Sequence, residues 1–184
     1  MRNGESSYRR FVSGDKEGLV EIIRDYKDGL ILYICSITGD CLTAEEIAED
    51  TFIKLYTDKP AFKGNSTFKT WLYSIGRHTA VDYMRRHKHR NDIPLDSVCE
   101  AASAEDIEKS LIKEEERIML HRAMQRLNPE YRQVLCLKYF GDFDHTETAA
   151  IMKKSVRQVT DLLYRAKNAL KKELEKEGFR YEGL

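Results

Sequence analysis

Residues 62–90, FKGNSTFKTWLYSIGRHTAVDYMRRHKHR, combine five aromatic rings with seven Lys and Arg side chains and a single acid, Asp82. Rings stack on bases and cations neutralise phosphates, so this mixture carries the chemistry of a nucleic-acid surface. On a helix the two demands separate by face. Phe68, Trp71, Leu72, Ile75, Thr79 and Tyr83 share one side at core spacing. Lys69, Tyr73 and Arg77 follow at four-residue intervals on the other, and Lys88 continues them. The segment closes on RRHKHR, in which Arg85, Arg86 and Lys88 repel one another unless an anion is present. Just before the helix, Lys63, Gly64, Asn65, Ser66 and Thr67 set short polar groups between Phe62 and Phe68. Aromatic walls over a polar floor suit an unstacked base. The competing readings are a solvated cation stripe and an ordinary capped turn.

A second constellation lies at residues 144–167, DHTETAAIMKKSVRQVTDLLYRAK, which has the period of a helix-turn-helix. Ala149 is small where two helices must approach, and Ile151, Val156, Val159 and Leu163 fall at core spacing. Polar residues open the second helix of the pair, the one that enters the major groove in such motifs. Lys154, Ser155, Arg157, Gln158 and Asp161 are therefore candidate base readers, and Arg165 and Lys167 candidate phosphate holders. An αα-hairpin without DNA contact is the alternative.

The elements that must position these groups read as helices throughout. Leu19, Ile22, Ile23 and Tyr26 have helical spacing from Asp15 onward, and a separate helix is expected over 30–37, ending near Gly39. A third is expected from Thr43, boxed by Glu46, with Ile47, Phe52 and Leu55 stacked along it. Pro60 and Gly64 bracket a loop, and Asn65 or Ser66 can cap the long helix over 67–89. Residues 91–105, NDIPLDSVCEAASAE, are poor in large apolar side chains. Helical spacing resumes at 106–127 with Leu120, Ala123, Met124 and Leu127 on one side. Asn128 with Pro129 restarts it, Asp144 with Glu147 forms a capping box, and a last helix covers 156–177. The expected fold is all-α: an N-terminal helical bundle over 1–91, a flexible acidic linker over 92–110, and a four-helix helix-turn-helix domain over 111–184.

Composition agrees with two basic bodies. The 31 Lys and Arg balance 31 Asp and Glu, yet 61–90 and 153–172 are each strongly basic while 96–116 is acidic. The longest apolar stretch, GLILYICSI, is too short to cross a bilayer, and no secretory leader opens the chain. Four cysteines without a CxxC pair fit reduced thiols in a cytoplasmic protein. Gly-rich phosphate loops, HExxH and nucleophile elbows are absent, and the five histidines lack ligand spacing. No enzyme activity, metal or cofactor is expected.

In the order and spacing of three blocks the chain resembles bacterial RNA polymerase sigma factors, in particular the extracytoplasmic-function (ECF) group of the sigma-70 family. AEEIAEDTFIKLY looks like that family's polymerase-binding helix, FKGNSTFKTWLYSIGRHTAVDYMRRHKHR like its promoter-melting and minus-ten segment, and LNPEYRQVLCLKYFGDFDHTETAAIMKKSVRQVTDLLYRAKNAL like its minus-thirty-five module. The resemblance implies that Glu49, Asp50, Phe52, Ile53 and Tyr56 lie at or near a surface that docks on core RNA polymerase. It implies that the loop 63–67 captures a flipped base, that promoter DNA is the ligand, and that an anti-sigma factor is a partner. Spacing puts Trp71 in the core, whereas the family likeness puts it near the melted fork. Thr148 stands where the family usually has an aliphatic residue, Lys153 where it has a Gly, and Arg157 and Gln158 where it has Gly-Thr. A free-standing helix-turn-helix regulator and an RNA-binding adaptor are the rival readings.

Overall fold

The computed structural model describes residues 4–87 and 107–178, with side chains throughout except over 107–116. All regular structure among these residues is helical. The N-terminal module comprises α1 (Gly4–Val12), α2 (Glu17–Thr38), α3 (Cys41–Asp58) and α4 (Phe68–His87). The C-terminal module comprises α5 (Ile107–Arg126), α6 (Pro129–Leu135), a π-helical turn (Cys136–Phe140), α7 (His145–Met152) and α8 (Val156–Lys176). Residues 92–106 of the expected linker lie outside the described residues, as does Lys88. Residues 107–110 are already helical, so α5 begins inside the stretch expected to be linker.

Two expectations for the N-terminal module need correction. α2 is one helix and does not break before Leu30. Gly29, which looks like a breaker, is an interior residue over which Tyr73 crosses; a Cβ there would lie 2.5 Å from the Tyr73 hydroxyl. α1 escaped the sequence reading because nine residues are too few for a clear period. It docks through Tyr8 and Phe11, both buried, and through Ser7 Oγ, which donates to the buried Glu21 carboxylate at 2.7 Å. Arg10 completes the pairing of Glu21 at 3.1 Å.

Caps fix the helix starts. Asp40, rather than Thr43, begins α3: its carboxylate accepts from Thr43 N at 2.8 Å. Thr67, rather than Asn65 or Ser66, begins α4, its hydroxyl accepting from Thr70 N at 3.2 Å. Asn128 caps α6 with Pro129 behind it, as expected. The Asp144–Glu147 box opens α7 as expected, and a second box pairs Ser155 with Gln158 at α8. Ile151, Val159 and Leu163 fill the helix-turn-helix core. Val156 does not; it is the first residue of α8 and points outward.

Two departures from family habit have physical consequences in this turn. Lys153 ends α7 at φ 54°, the left-handed region that a glycine adopts without strain. Thr148 is buried, and its hydroxyl meets no partner. An unmet buried hydroxyl and a strained backbone each oppose folding. Lys153→Gly and Thr148→Val should therefore each stabilise the protein by about 0.5–1 kcal/mol, read as higher urea midpoints with an unchanged denaturant slope.

Candidate nucleic-acid interface

One face of α4 closes the N-terminal core. Phe68 and Leu72 are buried, and Trp71 sits half-buried in an aromatic cluster with Tyr8, Phe62 and Phe68. That is the core position its spacing predicts. Within this cluster Tyr8 is pushed up to about 12 by burial.

The other face is not open, contrary to expectation. Tyr73 is only 3% exposed. It stacks on Tyr33 at 5.5 Å and meets Phe143 of the C-terminal module edge-on at 4.9 Å. Lys69 Nζ donates to the Gly141 carbonyl at 2.7 Å and lies over the Phe143 ring at 4.7 Å. At the start of the helix, Glu147 Oε1 accepts from the hydroxyls of Thr67 and Thr70, each at 3.0 Å, while Oε2 accepts from Asp144 N. One carboxylate thus serves the N-termini of both α4 and α7. Arg77 is half-buried next to the Tyr33 hydroxyl, where its guanidinium opposes the effect of burial on that phenol; its Nε has no acceptor. Burial raises the Tyr33 and Tyr73 hydroxyls.

A second tie crosses the junction at the other end of α2. Arg132 Nε donates to the Ser36 carbonyl and Nη1 to the carbonyls of Gln125 and Leu127, all at 3.1 Å. Desolvation lowers this guanidinium. Beside it Cys136 is buried on α2, with Sγ 3.8 Å from the Leu32 carbonyl. Sequence reasoning missed Arg132, Gly141 and Phe143 as partners of α4 and α2. It saw Glu147 only as a capping residue, although a boxed carboxylate has a second oxygen to offer.

The remaining candidates divide by exposure. Lys63, Asn65, Ser66 and Thr67 form an exposed loop, but Phe62 and Phe68 meet edge to face at 5.8 Å, so the two expected pocket walls touch each other. Arg85 and Arg86 are exposed, with Arg85 3.4 Å from Asp82. On α3, Glu49, Asp50, Ile53 and Tyr56 face solvent, but Phe52 is buried in the core with Ile47 and Leu55. Leu42, 67% exposed, extends the same outer stripe through Glu46, Glu49, Ile53 and Tyr56. On α8, Arg157, Asp161, Arg165 and Lys167 are exposed, with Lys167 over the Tyr139 ring. Ser155 and Gln158 spend their oxygens on each other's backbone, and Lys154 pairs with Glu130 at 2.9 Å. Those three help build the turn rather than standing free.

Two family models match the chain in order: Sigma-70 region 2 over residues 22–90 and Sigma-70, region 4 over residues 117–170. The chain belongs to the sigma-70 family. Its N-terminal module corresponds to region 2 and its C-terminal module to region 4. It is 28% identical to the RNA polymerase sigma factor YlaC of Bacillus subtilis, over 88% of this chain and 94% of that protein. It is 28% identical to the ECF RNA polymerase sigma factor SigW of the same organism, over 88% and 91%. The fold matches that of the sigma factor RpoE from Bartonella quintana, solved with the anti-sigma factor NepR, at a TM-score of 0.67 and 21% identity. That match covers 84% of this chain and 95% of RpoE.

The region 2–region 4 junction carries a pH dependence. Burial pushes the Cys136 thiol up from 9.0 to about 12, against the lowering influence of the Ser36 hydroxyl. A raised folded pKa means that its stabilisation is complete below the unfolded thiol's pKa and is lost as pH climbs toward the folded one. Between pH 9 and 10, before the tyrosines add to it, stability should fall by up to about 1.4 kcal/mol per pH unit. Urea titrations should show that slope, flattened in Cys136→Ala.

Proposed function

We propose that this chain is an ECF-type sigma factor: it brings core RNA polymerase to particular promoters and opens the DNA there. The observation that carries the reading is the ordered match of sigma-70 regions 2 and 4 across the chain. A free-standing helix-turn-helix regulator is not favoured, because the region 2 match gives the N-terminal module a sigma-factor identity of its own.

The work is binding, not bond-making, and it takes place in the cytoplasm with the polymerase. Leu42, Ile53 and Tyr56, set among Glu45, Glu46, Glu49 and Asp50, offer an apolar stripe flanked by acids on α3. A few exposed apolar anchors among polar neighbours are the usual energetic centre of a protein interface. The α8 cations Arg157, Arg165 and Lys167 are suited to duplex phosphates of the minus-thirty-five element, with Asp161 toward base edges. Lys63, Asn65, Ser66 and Thr67 would hold the base extruded at the minus-ten element, with Lys69, Tyr73, Arg77, Arg85 and Arg86 along its strand. Extruding a base costs a few kcal/mol, and capture of the flipped form repays it only after strand separation. That differential binding is what drives opening. Phe62 must turn off Phe68 for the loop to receive a ring. An anti-sigma factor, of the kind seen with RpoE, belongs to the same proposal as the partner that withholds these surfaces.

Run-off transcription with purified chain, core polymerase and a promoter library should yield promoter-dependent transcripts. Tight specific binding to isolated duplex, with no affinity for core polymerase, would instead favour the free-standing regulator. Lys63→Ala with Asn65→Ala should leave polymerase affinity unchanged and slow promoter opening by about tenfold, the loss of one well-held base. Opening at the wild-type rate would remove the loop from the mechanism.

A further inference from the structure

The corner between α2 and α3 carries a cysteine on either side. Cys35 lies in the last turn of α2, Cys41 is the first residue of α3, and Gly39 and Asp40 reverse the chain between them. Gly39, at φ 80°, returns its N–H to the Cys35 carbonyl at 2.8 Å, and the Asp40 carboxylate caps α3. The Thr38 hydroxyl donates to the Asp40 carbonyl at 2.9 Å. These bonds hold the two side chains face to face. Both residues are thiols, and their Sγ atoms stand 2.8 Å apart. A disulfide holds its sulfurs about 2.05 Å apart, so a small side-chain rotation joins them.

The surroundings suit sulfur chemistry. Arg132 reaches over the corner: its Nε donates to the Ser36 carbonyl, and a Cβ on Gly39 would lie 3.7 Å from its Nη2. Burial lowers this guanidinium, and the nearby Cys35 sulfur acts in the opposite sense, so a cation is within electrostatic reach of that sulfur. The thiolate is the nucleophile in thiol oxidation, and a neighbouring cation supports it. Cys41 heads an 18-residue helix, whose amide end has the same sign. Cys136 differs: burial pushes its thiol up to about 12, which keeps it protonated and inert. Cys35 and Cys41 are 8% and 6% exposed, an edge suited to a small oxidant rather than a bulky one.

We propose that Cys35 and Cys41 are an oxidisable dithiol, a modification site that takes a hydroperoxide and closes to a reversible disulfide across the α2–α3 corner. The Cys35 thiolate attacks one peroxide oxygen; the S–O bond forms, the O–O bond breaks, and the released hydroxide takes up the Cys35 proton to leave as water. The Cys41 sulfur then attacks the sulfenic sulfur. The S–S bond forms, the S–O bond breaks, and the oxygen leaves with the Cys41 proton as a second water. Two electrons pass from the sulfurs to the peroxide. Closing the bond spares Cys35 from irreversible oxidation to the sulfinic acid, and disulfides of this transient kind are the ones a reducing compartment tolerates. The bond also restricts the unfolded corner, so the oxidised chain is the more stable. The proposal does not rest on the sigma-factor reading.

The test uses the full chain, reduced, freed of reductant, treated with hydrogen peroxide and then alkylated in denaturant for peptide mass mapping. The expected product is an intramolecular disulfide joining the peptides that carry Cys35 and Cys41, with Cys136 alkylated and both thiols restored by dithiothreitol under native conditions. This arm needs no variant to fold. In urea titrations the oxidised chain should show a folding constant larger on the order of tenfold. Cys41→Ala should lose that gain and leave a Cys35 sulfenic acid that dimedone traps. Cys99, which lies outside the described residues, is controlled by Cys99→Ser, which should give the same yield of the bond. Cys35 and Cys41 both alkylated after peroxide, a bond from either of them to Cys99, or a Cys35–Cys41 bond that the folded chain does not release to reductant overturns the proposal.

Discussion

A helix end carries about half a charge and several unpaired backbone groups, and something must meet them. Across the junction of the two modules, side chains of opposite sign do so. The Glu147 carboxylate sits at the positive end of α4, and the Arg132 guanidinium at the negative ends of α2 and α5. These contacts flank an apolar junction in which Phe143 meets Tyr73 and Cys136 packs on α2, and the buried residues of both modules form one hydrophobic cluster. Polar, charge-assisted contacts of this kind contribute about 1.5–3 kcal/mol each. The Arg77 guanidinium lies beside the Tyr33 hydroxyl, and its Nε, left without an acceptor, subtracts about 1–3 kcal/mol. To part the modules a ligand would have to bind the parted form preferentially, and moving a two-state balance from one side to the other takes about 5.5 kcal/mol of such preference.

That balance explains how α4 can carry so many rings and cations at once. Its inner face is committed: Phe68, Leu72 and Thr79 are buried among α1, α2 and α3, and the aromatic cluster around Trp71 locks the helix in rotation. The rotation in turn aims Lys69, Tyr73 and Arg77 in one direction. In the fold those three meet protein: Lys69 and Tyr73 meet residues 141–143, and Arg77 lies beside Tyr33. A surface of this composition left in water would strand a hydrophobic ring between two cations. Covered by protein, the ring is buried and one cation is satisfied. Covered by a strand, the second cation is satisfied as well.

Much of this was legible in residue order, because capping and period are local. The boxes at Asp144 and Ser155, the cap at Asn128 and the inner face of α4 depend on neighbours three or four positions away. The continuity of α2 through Gly29 was not legible, for the opposite reason. Glycine reads as a break, and only the crossing of Tyr73, far along the chain, shows that it serves close approach. Phe52 was placed near the polymerase surface by family likeness, but the turn of α3 carries it inward with Ile47 and Leu55. Ser155 and Gln158 look like base readers in a list of polar residues; in the fold their oxygens are engaged at the start of α8. The cover over α4 had no local signal. A period of four residues specifies a face and is silent about the partner that face meets.

The two binding surfaces of region 2 stand in different states, and the difference sets an order of events. The outer stripe of α3, with Leu42, Ile53 and Tyr56, is open while α4 is covered. On the proposed function, a free chain presents its polymerase-facing surface first and its strand-binding surface second. Docking on polymerase spends no energy on lifting the C-terminal module unless the docked geometry itself requires the modules apart. If it does, the separation is driven by polymerase binding, and α4 is uncovered only where a polymerase is present to use it. The proposed roles thus place the open, polymerase-facing stripe and the covered face of α4 on separate helices of one module, so that the first can be engaged without disturbing the second.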